Sequence, residues 1–516
     1  MKYYNTLLGK SFNQNDQKRL GFGAFACCLV IALTLCTVFK PFVASIFSLN
    51  IQLVAQNGRN VIKSEEFNIS YVMGANIVSE VKHEATPVVN LLKPNSSEQR
   101  KPIFLNLPKS SGTKPTLHND TSAVLEEAKA KIKNVGRPII CNFSEPRSDI
   151  CEMNGNVRVH GSLSTIFFPS PDNISDTWSI RPYARKDDAI AMKNVTRITI
   201  KTTLKSPKGN NLPICTHNHS IPAVIFSTSG YIGNHFHDFT DVIIPLFLTS
   251  REFNGEVQFM VTNKDAWWLN KYIEVLKSLS KYEIIDLDKE DKVHCFPKVI
   301  VGLRHHKEFG IDPLKSQFSI GEFRNLLRNS YSLKKETAIK LGGKLKRKPR
   351  LLMITRKKTR SFMNEMEIVK MAQSLGFEVI LAEANANLKQ FAQLVNSCDV
   401  MMGVHGAGLT NIVFLPENAI LVQIVPLGKM DWLAKTDFGI PSMEMNLRYL
   451  EYQIVEHESS LIKQYPIDHP VIKDPYSVTK KGWFAYRSVY MDKQDVNLDV
   501  NRFKPTLLKT LELLYK

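Results

Sequence analysis

Cysteine is scarce in this 516-residue chain: there are eight. No CxxC pair and no His-rich ligand spacing occurs among them, which argues against a structural metal. Cys27, Cys28 and Cys36 fall in one apolar run, leaving Cys141, Cys151, Cys215, Cys295 and Cys398. An odd set of five permits at most two disulfides and one free thiol within a single chain, and Cys141 and Cys151 can close a short loop. Acidic residues are also in deficit, 49 against 67 Lys and Arg, for a formal net charge of +18. A basic balance alone does not separate nucleic acid, anionic membrane and acidic polysaccharide as partners. Disorder is not the default, because 43% apolar and 22% charged residues are ordinary globular usage, and the length calls for more than one packed domain.

Long apolar runs are absent except for one. Leu20 to Phe39 carries no charge and is long enough to cross a bilayer as a helix. Lys2, Lys10, Lys18 and Arg19 precede it against Asp16 alone, so the positive-inside bias puts residues 1–19 in the cytoplasm and the remainder in the lumen. A cleaved signal peptide ending near Val43-Ala44-Ser45 is the rival reading. A luminal chain nearly excludes nucleic acid. Seven N-glycosylation acceptors, Asn68, Asn95, Asn119, Asn142, Asn173, Asn194 and Asn218, all lie in residues that this topology makes luminal. Apart from the weak Asn396-Ser-Cys, none follows Asn218. That suits a second half whose surface is occupied by a site or a domain contact.

Residues 40–135 mix Ser, Asn, Pro, Lys and Glu without sustained periodicity and read as a disordered stem. Strand-like composition begins near Ile139. Arg181-Pro-Tyr-Ala-Arg185-Lys186 is a basic aromatic patch, either an anion site or a solvated turn. The buried-strand run Ala223-Val-Ile-Phe226 then leads into Gly233-Asn234-His235-Phe-His237-Asp238-Phe-Thr-Asp241. With a helix starting near Asn234, Asn234, His237 and Asp241 share one face. An imidazole with a carboxylate one turn on is the arrangement of a general base: one group takes the proton, the other orients and charge-balances it. The competing reading is a helix cap with solvated polar residues.

Strands then alternate with helices, Ala266 to Ser280 reading as one helix, which argues a parallel sheet. Lys334 to Arg350, rich in Lys, reads as the exposed link to a second lobe. There the strand Leu351–Thr355 ends in Arg356-Lys-Lys-Thr-Arg360, and the strand Val400–Val404 ends in His405-Gly406-Ala407-Gly408-Leu-Thr-Asn411. Ligands of doubly wound lobes bind at the carboxyl ends of strands. Glycines there let backbone N–H groups approach phosphate oxygens, and forked guanidinium groups reach the same atoms. The expected organisation is a cytoplasmic tail (1–19), a transmembrane signal-anchor (20–39), a luminal stem (40–135), an N-terminal lobe (136–335), a C-terminal lobe (336–455) and a C-terminal extension packing back on the lobes (456–516).

The motifs at 233–241, 354–360 and 404–411 with Leu415-Pro-Glu417, and the tail Tyr490-Met-Asp-Lys-Gln-Asp-Val496, together resemble plant members of glycosyltransferase family 61, which include xylan arabinofuranosyl- and xylosyltransferases. The resemblance spans roughly Cys141 to the C-terminus. It implies a GT-B fold, two Rossmann-like lobes facing a cleft, with the UDP-sugar donor in the C-terminal lobe, the acceptor toward the N-terminal lobe, and inversion at the anomeric carbon. It further implies His237 as base with Asp241 behind it and Asp238 as competitor. Arg356, Arg360, His405, Gly406, Ala407, Gly408 and Asn411 then lie on the donor phosphates, with Gly233, Asn234 and Glu417 in support. No metal or other cofactor is implied. Asp286-Leu-Asp288 has the form of a metal-binding GT-A pair, for which a strand-end turn is the competing account. The implied setting is the Golgi membrane, anchored by a single helix with the catalytic part luminal, with a xylan acceptor and a possible complex with other xylan-synthesis enzymes. β-1,2-Xylose is the first expectation for the transferred pentose, α-1,3-arabinofuranose the second and N-glycan core xylose the third. A non-catalytic glycan-binding subunit is the reading from another class.

Overall fold

The computed structural model describes residues 139–516 apart from 171–174, 204, 207–208, 211, 343–346 and 385–386, together with the backbone of Ser70–Tyr71. The expected membrane span, most of the stem, and acceptors Asn68, Asn95, Asn119 and Asn173 lie outside the described residues. Among the described residues no helix is long and apolar enough to cross a membrane.

Ten strands make the first sheet. In chain order those used below are β1 (Ile139–Asn142), β2 (Ile150–His160), β3 (Thr165–Pro169), β4 (Thr177–Ile180), β5 (Ile198–Thr203), β6 (His217–Asn218), β7 (Ala223–Ser227), β8 (Gln258–Thr262), β9 (Ile285–Asp286) and β10 (Val293–Val301). The order is β9-β8-β7-β10-β2-β3-β5-β4, with β1 on β2 and β6 on β10. The β9-β8-β7-β10 part is parallel, and β10 then pairs antiparallel with β2. β7 and β8 are buried at every position, and their apolar stretches Ala223–Phe226 and Phe259–Val261 run without alternation. Two disulfides, Cys141–Cys151 and Cys215–Cys295, tie the antiparallel half together, and Cys398 is free and buried.

The second sheet carries β11 (Arg350–Ile354), β12 (Glu378–Ala382), β13 (Val400–Val404), β14 (Ile420–Val425) and β15 (Arg448–Gln453) in the order β12-β11-β13-β14-β15, all parallel. Ser70–Tyr71, inside the segment expected to be unstructured stem, runs antiparallel along the β12 edge. Two sheets in two lobes are consistent with the GT-B arrangement. Each parallel region reverses its strand order once, between β7 and β10 in the first lobe and between β11 and β13 in the second. In open α/β sheets, ligand crevices lie outside the carboxyl ends of the strands at such points.

One hydrophobic core runs under the cleft from lobe to lobe. It joins Val224, Phe239 and Phe323 of the first to Leu352, Leu409 and Phe414 of the second. Arg324, buried on the helix Ile320–Tyr331, donates across the seam to the carbonyls of Val413, Leu415 and Met445. The Lys-rich link is exposed at most of its described positions and is anchored at two points: Lys335 Nζ lies 2.6 Å from the buried Asp399, and Thr337 bridges to Glu417. One expectation fails here. The expected single helix over 266–280 breaks into Ala266–Lys271 and Ile273–Leu279 at Tyr272, whose ring turns inward onto Asp238. The C-terminal helix Val500–Tyr515 packs Phe503, Leu507 and Leu514 into the core of the second lobe.

Candidate active site

The strand β7 delivers the chain into the turn 228–234, where Gly233 sits at φ +90° and donates its N–H to Asp238 Oδ1 at 2.7 Å. Asn234 caps the helix that follows by accepting from Phe236 N. That helix, 235–250, opens as an α-turn, widens into a π-helical stretch at Asp238–Ile243 and continues as Ile244–Ser250. π-Segments of this kind accumulate at functional sites.

His237 and Asp241 meet on one face as the spacing predicts, with Nδ1 3.0 Å from Asp241 Oδ2. The His237 side chain is 20% exposed and Asp241 is fully buried. Oδ2 of Asp241 also accepts from Tyr183 Oη at 2.9 Å and Arg185 Nε at 2.7 Å. Burial alone pushes the Asp241 carboxyl up; the hydrogen bond from His237 and the charge of Arg185 outweigh it and hold the group below the usual range. An ionised Asp241 makes His237 Nδ1 the donor, so Nε2 is left to accept a proton. Glu308 extends the network, holding Arg185 at 3.3 Å and Thr240 at 3.1 Å and contacting Arg147. Tyr183 and Arg185 come from the patch at 181–186, which is therefore no solvated turn. Its mixture of aromatic and basic residues was visible in the sequence, but its partner Asp241, 56 residues beyond Arg185, was not.

Asp238 has a different environment. It is fully buried, and four donors saturate it: Gly233 N, Trp268 Nε1 (2.8 Å), Lys271 Nζ (3.0 Å) and Tyr272 Oη (2.7 Å). No lone pair of Asp238 is left facing the cleft. His235 bridges the lobes, with Nδ1 2.9 Å from Tyr272 Oη and Nε2 3.2 Å from Asn411 Oδ1. Burial, reinforced by Lys271, lowers its imidazole to about 4. Asn411 is thus engaged in holding the lobes together, its amide also donating to Gly408 O at 2.9 Å.

In the second lobe Arg356 and Arg360 converge on Gly406. A Cβ on that glycine would stand 2.8 Å from one guanidinium and 2.7 Å from the other, and φ of +146° requires glycine as well. Arg360 donates to the His405 carbonyl at 2.8 Å, and its buried Nε has no hydrogen-bond partner among the described residues. Burial and the neighbouring Arg356 lower the Arg360 guanidinium to about 9. Among the described residues neither arginine is in an ion pair. Two desolvated cations against a bare backbone turn favour a polyanion between them. Gly408 stands at the start of a 3₁₀ helix, Ala407–Phe414, packed on Ile354.

The tail motif holds this loop. Gln494 O accepts from Arg360 N at 2.8 Å, and Asp495 Oδ1 accepts from Ser361 N and Oγ. His405 is itself buried: the Gln423 side-chain amide lies 2.8 Å from His405 Nδ1, and Tyr449 Oη is 2.9 Å from both Gln423 Oε1 and Glu451 Oε2. Burial, with Arg360 and Arg356 adding to it, lowers this imidazole to about 3. It is neutral.

Glu417 is not in the cleft. It lies on the exposed turn before β14, at the opposite end of the sheet from His405, where its side chain accepts from Asn446 Nδ2 and its backbone pairs with Glu336 and Ala338. A chain leaving β13 must run back along the 3₁₀ helix before entering parallel β14, which carries Glu417 away. Asp286 and Asp288 form a strand-end turn, Asp286 near Lys264 and Lys289, Asp288 accepting from Asn263 N at 2.6 Å. Of the glycosylation acceptors described, Asn194 and Asn218 are exposed, and half-buried Asn142 accepts from Ser144.

Two arginines without ion pairs among the described residues stand at one switch point, and a carboxylate-backed imidazole stands at the other. Comparison with known proteins gives the family. The family model described as Glycosyltransferase 61 matches residues 236–422, a span that takes in His237, Asp241, Arg356, Arg360 and His405. The chain is 47% identical over 408 residues to alpha-1,3-arabinosyltransferase XAT3 of Oryza sativa subsp. japonica, covering 77% of this chain and 70% of that protein. It is 48% identical over 381 residues to alpha-1,3-arabinosyltransferase XAT2 of the same plant, covering 73% and 64%. With beta-1,2-xylosyltransferase XYXT1, also from rice, the figures are 43% over 394 residues, 72% and 84%. The chain belongs to glycosyltransferase family 61.

Proposed function

We propose that this enzyme transfers a pentose from a UDP-sugar to the xylan backbone, with α-1,3-linked arabinofuranose as the transferred sugar. This reverses the order expected from sequence, which put β-1,2-xylose first: the relatives at 47% and 48% identity carry arabinosyltransferase names, and the xylosyltransferase stands at 43%. The proposed setting is the Golgi membrane, with residues 20–39 as a type II anchor and both lobes luminal.

The observation that carries the catalytic reading is the pairing of the two switch points across one cleft. In the proposed step an acceptor hydroxyl gives its proton to His237 Nε2 as its oxygen attacks the anomeric carbon, and the bond to the UDP oxygen breaks on the opposite face. Asp241 balances the imidazolium that forms; Tyr183 and Arg185 hold Asp241. Arg356, Arg360 and the N–H groups around Gly406 to Gly408 stabilise the departing diphosphate. Asp238, saturated by its four donors, positions the turn and is assigned no proton transfer.

The test is a donor screen with the detergent-solubilised full-length chain on xylohexaose, followed by linkage analysis. Arabinose in α-1,3 linkage is expected. Xylose in β-1,2 linkage would restore the sequence-based order. Xylan binding without transfer from any UDP-pentose would make the chain a non-catalytic glycan-binding subunit and sink the enzyme reading.

A further inference from the structure

The carboxyl of Asp437 faces the cleft and is absent from every motif quoted from the sequence. It lies in a helical segment, 431–444, whose middle, Lys435–Gly439, is π-helical. Its neighbour Phe438 is buried in the seam, 5.6 Å from the ring of Phe236, 6.1 Å from that of Phe309 and 5.6 Å from that of His405. Asp437 is thereby carried between the base-bearing helix of the first lobe and the donor side of the second. Its side chain is only 16% exposed, yet among the described residues it makes no hydrogen bond. What faces it is His405 Nε2, 3.9 Å from Oδ2. Gln423 occupies the other ring nitrogen, Nδ1, at 2.8 Å, so Nε2 is the one left to meet a ligand.

A ring nitrogen and a carboxyl oxygen 3.9 Å apart are too distant to bond each other, but one oxygen about 2.8 Å from each satisfies both. A hydroxyl fits, because it can accept from one and donate to the other whichever of the two carries the proton. Burial holds the Asp437 carboxyl up at about 7, opposed only by the charge of Arg185. A buried group without a fixed partner at a cleft wall is what a ligand contact requires.

We propose that Asp437, with His405 Nε2, binds a ring hydroxyl of the transferred sugar and so determines donor recognition. The donor sugar is preferred over the acceptor as the source of that hydroxyl because the His405 carbonyl is held by Arg360, one of the two arginines on the proposed diphosphate site. The inference rests on the donor site proposed above.

The experiment measures binding of UDP and of UDP-arabinofuranose or UDP-xylose to the solubilised full-length chain by calorimetry, for wild type, Asp437→Ala and Asp437→Asn. The expected result is UDP affinity within twofold of wild type in both variants, with UDP-pentose affinity reduced at least tenfold in Asp437→Ala. Should Asp437→Ala not fold, Asp437→Asn is judged by the same criterion with a reduction of at least threefold. Unchanged UDP-pentose affinity overturns the proposal, as does a rise confined to the acceptor KM. A loss of UDP affinity in step with UDP-pentose affinity also overturns it, because the residue then acts on the phosphate site or the fold. A wild type that binds UDP but no UDP-pentose removes the donor reading itself, and this inference with it.

Discussion

Replacing His237 by Asn separates chemistry from architecture in this cleft. The substitution removes one of three donors to Asp241, and the other two, Tyr183 Oη at 2.9 Å and Arg185 Nε at 2.7 Å, stay in place. The buried carboxylate is therefore not orphaned. A hydrogen bond to a charged group contributes about 1.5–3 kcal/mol, and with His237 20% exposed, water replaces part of it, so the expected stability loss is about 1–2 kcal/mol. Transfer is affected far more. A positioned general base contributes about 10²–10⁴-fold, or about 3–5 kcal/mol in the barrier. The assay is UDP release from UDP-pentose in the presence of xylohexaose, alongside calorimetric donor affinity and a urea unfolding curve. A kcat lower by two to four decades with donor affinity within twofold is expected. Transfer retained within threefold, or donor affinity falling in step with kcat, would refute the assignment of the base.

Asp238→Asn is expected to do the reverse at the level of the fold, costing about 3–5 kcal/mol in denaturant unfolding because Lys271 loses its buried partner. A variant as stable as wild type would show that the saturated carboxylate is not structural. Arg360→Ala, which removes a buried cation with no ion-pair partner among the described residues, is expected to weaken UDP binding by about 1.5–3 kcal/mol, roughly tenfold to a hundredfold; unchanged UDP affinity contradicts the phosphate site. The Asp241 carboxyl is depressed in the folded state, so its contribution is present above the unfolded pKa of about 3.9 and is lost as pH falls through the lower folded value. The gap in unfolding free energy between wild type and Asp241→Asn should shrink as pH falls through about 4 and below. A gap that stays constant over that range locates the titration elsewhere.

The local elements of this protein were legible in its sequence because short-range physics determines them. The unbroken apolar runs at 223–226 and 400–404, the cap at Asn234, and the His237–Asp241 pair one turn apart follow from periodicity and capping alone. The same holds for the arginines after β11 and the glycine turn after β13, since strand ends in doubly wound sheets are where ligands bind. What the fold decided was partnership across long separations. Asp238 and Asp241 differ by three positions and look equivalent as carboxylates. Only the packing of Trp268, Lys271 and Tyr272 against one, and of Tyr183, Arg185 and His237 against the other, makes the first a structural anchor and the second the support of a base. Asn411 and Glu417 likewise sit in one continuous motif, yet the first bridges to His235 and the second lies at the far end of the sheet. Asp437 carries no local signal, and its place beside His405 follows from a π-turn and a buried Phe438. Sequence spacing thus determined which side chains share a face. Burial and long-range hydrogen bonding, which exist only once the two lobes close around a common core, decided what each can do.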